Sequence, residues 1–124
     1  MIKGIGTDIL EVKRMRQVIK RRGVFFLNKI FTKKEIEYCE KKQNSYISYA
    51  ARFAAKEAVV KSLGTGFGKE ISFQDIEIIN DEKGKPEVFL SERAKKYFNN
   101  PKILLSISHS EENAIAFAIF SFSN

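Results

Sequence analysis

Residues 103–122 read ILLSISHSEENAIAFAIFSF, and this stretch decides the fold class. Two strongly apolar runs, 103–108 and 114–122, flank the short polar connection HSEEN. Apolar runs of this length joined by so short a link predict a β-hairpin. Because both runs are apolar almost throughout, the hairpin is expected in the centre of a sheet. Ser106 and Ser108 share one strand face, and His109 begins the turn.

Working outward, residues 72–80 (SFQDIEIIN) predict a strand, which the polar turn DEKGKP joins to a second strand, EVFL. Ser91 caps a short helix to residue 98, which Asn99, Asn100 and Pro101 end. At the other end of the chain, residues 1–10 alternate weakly. Ile5, Thr7 and Ile9 lie on one side, with Gly4, Gly6 and Asp8 on the other, so the glycines let a neighbour approach the backbone closely. From Glu11 the period becomes helical through Val12, Met15 and Ile19, and Gly23 closes this helix. Thr32 and Glu35 form a capping box for a helix ending near Lys42. Residues 45–63, alanine-rich and free of glycine and proline, predict the longest helix. Gly64, Gly66 and Gly68 break it. This loop follows a helix, so it is no Walker loop; it either turns its amides to an anion or serves as a cap and connector. The class is α+β with a largely antiparallel sheet, in one domain over residues 1–124.

At 44% apolar and 30% charged residues, the 124-residue chain has the composition of a globular domain that buries a real core. No apolar run is long enough to span a bilayer, and the start MIKGIGTDILEV has no signal-peptide pattern, so a cytoplasmic location is expected. Cys39 is the only cysteine and His109 the only histidine. Intrachain disulfides, thiolate-rich zinc sites and two-histidine mechanisms are thereby excluded. Cys39 lies in a charged stretch without an evident base and reads as a half-buried helical residue. A net charge of +7 draws acidic partners, of which composition alone does not choose one. Exposed aromatics interleaved with cations would mark an RNA-binding sheet. Here Phe73, Phe89, Phe117 and Phe120 sit in apolar stretches that read as core, which leaves a small basic RNA-binding domain as the alternative.

Three places hold residues suited to chemistry. Asp8 is an acid on a strand, where aspartate is depleted; it either ends the strand or holds a metal. On the long helix, Arg52 and Lys56 are neighbours four apart, as are Glu57 and Lys61, which makes either surface ion pairs or a carboxylate set among cations. Ser108 and His109 end a strand, and adjacent strand residues point to opposite faces, a poor geometry for a Ser-His nucleophile. Arg14, Val18 and Arg21 form a basic stripe with an apolar centre, either a solvated face or a docking surface for an acidic helix.

The segments GIGTDILEVKRM, FTKKEIEYC, ARFAAKEAVVKSLGTGFG, SFQDIEI, GKPEV and SISHSEENAIAFAI occur in this order over nearly the whole chain. Together they resemble holo-[acyl-carrier-protein] synthase, the short bacterial type of 4′-phosphopantetheinyl transferase. Asn113, where an aromatic is usual, and Lys13, where an acid or apolar residue is frequent, depart from the pattern. The resemblance implies transfer of 4′-phosphopantetheine from coenzyme A to a serine of an apo acyl carrier protein. It implies magnesium held by Asp8 and Glu57, with Lys61 facing the pyrophosphate. Arg52, Lys56, Ser108 and His109 would meet the nucleotide's phosphates, and Gly64, Gly66 and Pro86 would line its pocket. The base is either a water polarised beside Asp8 or Glu57, or Glu57 itself. Arg14, Val18, Arg21 and Arg22 would dock the carrier, and a homotrimer with active sites between subunits is expected. A trimeric scaffold without activity is the remaining rival, and the presence of Asp8, Glu57 and Lys61 argues against it.

Overall fold

Small residues alternate along the strands that meet the most buried helix, and this spacing sets how closely the layers pack. In a computed structural model that describes residues 1–122, the chain begins with β1 (Ile2–Glu11), α1 (Val12–Ile30), α2 (Lys33–Glu40) and α3 (Ser45–Ser62). A 3-10 turn (Phe73–Asp75) leads to β2 (Ile76–Asn80), β3 (Pro86–Leu90), α4 (Glu92–Tyr97), β4 (Pro101–His109) and β5 (Asn113–Phe122). The strands form two antiparallel sheets, one ordered β1-β5-β4 and the other β2-β3.

Gly4, Gly6, Ala114, Ala116 and Ala118 face α3, whose own contact side is alanine-rich. A Cβ added at Gly6 would stand 2.0 Å from the Ala58 carbonyl oxygen, and one at Gly4 2.0 Å from that of Ser62. The expected close approach is thus a helix lying directly on the strand backbone. Two apolar clusters flank α3, one around Val59, Val60, Ile71, Ile76 and Ile78, the other around Met15, Ile30, Phe31 and Tyr49. Each large side chain fully buried there contributes about 1.5–3 kcal/mol relative to exposure.

The structure differs from the sequence expectation in three elements. Gly23 ends the first helical run of α1 as expected, but a second run follows it. That residue breaks the helix (φ 58°, ψ −139°), and the chain resumes helix over 24–30 because Phe26, Leu27 and Ile30 pack into the second cluster. Among the described residues the longest unbroken helix is α3, with 18 residues, as expected, because the 19 residues of α1 are two runs divided at Gly23. Residues 73–75 are a 3-10 turn rather than strand, since the Asp75 carboxylate captures the backbone N–H of Ser72 at 2.7 Å and its hydroxyl at 3.0 Å. The hairpin is also only half central. β5 lies between its neighbours, but β4 is an edge, and α3 covers one face of this sheet alone. On the other face Ile5, Ile9, Leu104, Ile115 and Phe117 are 41–62% exposed, and Phe89 on β3 is also exposed, so Phe117 and Phe89 are not core. The Thr32–Glu35 capping box and the Ser91 cap form as expected.

Candidate active site

Because α3 lies against the glycines of β1, the next inward-facing residue of that strand, Asp8, meets the C-terminal half of the helix. The Lys61 ammonium donates to Asp8 Oδ1 at 3.1 Å and to the Thr7 carbonyl at 2.9 Å. Glu57, one helical turn before Lys61, lines the same cleft as Asp8. Burial first, and then the negative charge of Asp8, pushes the Glu57 carboxyl above its ordinary range, with Lys61 opposing. Two carboxylates thus face one cleft of about 510 Å³ with a single ammonium beside them. Its floor is Ile9, Leu10, Met15, Val18, Phe26 and Phe53, and Arg14, Gln17 and Arg21 also line it.

Among the described residues no three His, Cys, Asp or Glu side chains cluster as a metal cage. A pair of mutually repelling carboxylates fits a hard cation that keeps most of its waters, which is the habit of magnesium. The donor set at Asp8 and Glu57 therefore suits the ion that the sequence implies.

The remaining expected residues do not gather in this cleft. Lys56 is 0% exposed and gives its protons to Glu35 Oε1 at 2.7 Å, the Ile30 carbonyl at 2.8 Å and the Phe73 carbonyl at 3.0 Å. Glu35 in turn accepts from the backbone N–H groups of Thr32 and Ile78. This lysine is fully engaged in joining α1, α2, α3 and the 3-10 turn. Arg52 lies on another side of α3, with Nη2 2.5 Å from Asn80 Oδ1. Pro86 borders a separate cleft between β3 and β4. Ser108 pairs with Ile115 on the uncovered face of the sheet, while His109 ends β4 on the side of Asp8 and Leu10. Gly64 closes α3 in the left-handed region (φ 78°), and Gly66 follows in an exposed loop. Arg22 is exposed beyond the cleft rim. Cys39 is fully buried rather than half-buried, and burial pushes its thiol up to about 12, so it is no nucleophile.

Sequence reading missed Phe26, Phe53 and Asn80. Phe26 was hidden by ending the helix at Gly23. Phe53 carried no signal beyond apolarity; in the structure its ring stacks on Phe73 at 5.4 Å.

The fold and this cleft define a class. Residues 4–118 match the family model of the 4′-phosphopantetheinyl transferase superfamily, and the chain belongs to that family. Within it, the chain is similar to the holo-[acyl-carrier-protein] synthase of Chlamydia caviae, 56% identical over 93% of each chain. It is similar also to that of Protochlamydia amoebophila, 50% identical over 98% of this chain and 99% of the other. Among solved structures it resembles Helicobacter pylori holo-[acyl-carrier-protein] synthase in complex with coenzyme A, with TM-score 0.87 and 39% identity, covering 94% of this chain and 99% of that one. This membership replaces the RNA-binding alternative. Among the described residues no helix is long and apolar enough to cross a membrane.

Proposed function

We propose that the protein transfers the 4′-phosphopantetheine group of coenzyme A to a serine of an apo acyl carrier protein, releasing adenosine 3′,5′-bisphosphate. The observation that carries this reading is the convergence of Asp8, Glu57 and Lys61 at a cleft bordered by Arg14 and Arg21. Asp8 and Glu57 would hold magnesium, which when bound would neutralise the pyrophosphate charge. Lys61, whose ammonium already sits at this acid pair, holds the departing bisphosphate. The serine proton would go to a metal-bound water polarised by Asp8 or Glu57, or to Glu57 directly.

Arg14, Arg21 and Arg22 steer an acidic carrier, and Val18 on the cleft floor anchors it. Gly64, Gly66, Pro86, Ser108 and His109 serve the nucleotide, whereas Lys56 serves the core. Of these, Pro86, Ser108 and His109 are spread over different faces of one chain, and the open apolar face beside Ser108 supports a homotrimer with sites between subunits. One transferase domain then covers residues 1–124, acting in the cytoplasm.

Glu57→Gln tests the assignment. Turnover is expected to fall by at least about 10²-fold, with an unchanged circular-dichroism spectrum. Activity within a few-fold of wild type would remove Glu57 from the reaction.

A further inference from the structure

Asp8 and Glu57 face one cleft, and among the described residues the only cation within ion-pair distance of either is Lys61. Its ammonium reaches Asp8 Oδ1 at 3.1 Å, while Glu57 makes no ion pair. An ammonium carries three protons. One goes to Asp8 and one to the Thr7 carbonyl on edge strand β1, at 2.9 Å, and the third has no protein acceptor among the described residues. Half of the Lys61 side chain is exposed, against 18% for Asp8, so the lysine can swing outward while the acid stays in place.

The packing of α3 on β1 keeps both acids at this cleft. A Cβ added at Gly6, two residues before Asp8, would stand 2.0 Å from the Ala58 carbonyl oxygen and 3.0 Å from Lys61 Cβ. Contacts so close fix the backbones that carry the two carboxylates, and their charges call for a positive charge nearby. In the metal-free protein the cation in contact is Lys61. An exposed lysine–aspartate pair adds little to stability by itself. What distinguishes this one is that its ammonium sits on an oxygen suited to a hydrated divalent ion.

We infer, on the reading that Asp8 and Glu57 hold magnesium, that Lys61 is a stand-in cation. Without metal its ammonium occupies Asp8 and offsets the acid pair, and it competes with a divalent ion for that place. When it leaves Asp8, the bond to Thr7 keeps it at the cleft, and the freed proton turns to the phosphates. Lysine suits the exchange because its compact charge pivots on a flexible stem.

The test is calorimetry of magnesium binding, without coenzyme A, to the wild type and to Lys61→Met, Lys61→Gln and Lys61→Arg. The two neutral variants are expected to bind magnesium about tenfold more tightly, because a competing positive charge has gone. Lys61→Arg keeps the charge and should stay within about twofold of wild type. With magnesium present, adenosine 3′,5′-bisphosphate should bind the neutral variants more weakly, again by about tenfold. The opposite signs separate a stand-in from the other two roles. A lysine that only meets phosphate leaves the affinity for magnesium alone unchanged, and one that only orients Asp8 lowers it when removed. Lys61→Gln retains a donor for Thr7 and keeps the test open if Lys61→Met does not fold. Magnesium affinity unchanged or weakened in the neutral variants would overturn the inference and leave the magnesium site standing. Magnesium binding to none of the four proteins would overturn the site itself, and the stand-in with it.

Discussion

At Glu57 the cost of burial beside Asp8 fits the proposed role as a cation ligand. A carboxyl whose proton affinity is raised by desolvation and by a like charge competes with a metal for protons. Magnesium affinity, followed by calorimetry, is therefore expected to weaken as pH falls, beginning above the ordinary carboxylate range of about 4. Glu57→Gln should remove most of that slope along with most of the affinity, and an unchanged slope in the variant would assign it to another group. The sign for stability differs between acids. Glu57, raised in the folded state, favours the metal-free fold at acid pH, and this contribution is lost as pH rises through its folded value. Asp75 works the other way. Burial pushes its carboxyl up, but the Arg93 guanidinium, the Ser91 hydroxyl and Ser72 outweigh this and hold it well below the usual range. Its contribution is present above about pH 4 and is lost below that as the acid protonates. The suspicion attached to Asp8 in the sequence came from its residue type on a strand. Its meeting with Lys61, fifty-three positions away, had no sequence signal of its own.

Among the elements, the contact of β1 with α3 decides whether a site exists. Gly6→Ala would drive a Cβ to 2.0 Å from the Ala58 carbonyl oxygen and 2.6 Å from the Ser62 nitrogen, both backbone atoms that cannot swing aside. A loss of about 3 kcal/mol or more in urea unfolding is expected, and a loss under about 0.5 kcal/mol would show that the layers are not so tightly set. Helix α1 carries the proposed docking role. Arg14→Glu, a rim charge of the cleft, should raise the carrier's KM several-fold and leave coenzyme A binding alone. Equal weakening toward both substrates would count against a docking helix. Helix periodicity and the caps at Thr32 and Ser91 were legible from sequence because they depend on neighbours a few residues apart. The resumption of α1 after Gly23 was not legible, since what restores the helix is the packing of Phe26, Leu27 and Ile30 into a core assembled from distant segments. The Phe73–Asp75 turn escaped for a similar reason. The capping box between Ser72 and Asp75 lies within the run SFQDIEIIN, whose apolar residues read as strand.

For the whole molecule, the apolar run that opened the sequence reading explains both the sheet and its unfinished side. The alanines of β5 face α3, while Ile115 and Phe117 point outward with Ile5, Ile9 and Leu104. An exposed apolar face of this kind marks an interaction surface. Phe117→Lys is expected to convert a trimer into smaller species in light scattering, and a monomeric wild type would refute the trimer. Family membership covers residues 4–118, so the transfer reaction is a property of the chain as a whole rather than of one motif. Its most direct test is to incubate the protein with coenzyme A, magnesium and an apo acyl carrier protein and to weigh the carrier by mass spectrometry. The account predicts a gain of one phosphopantetheinyl group per carrier, absent with Glu57→Gln. A carrier of unchanged mass after incubation with folded wild-type protein would contradict it.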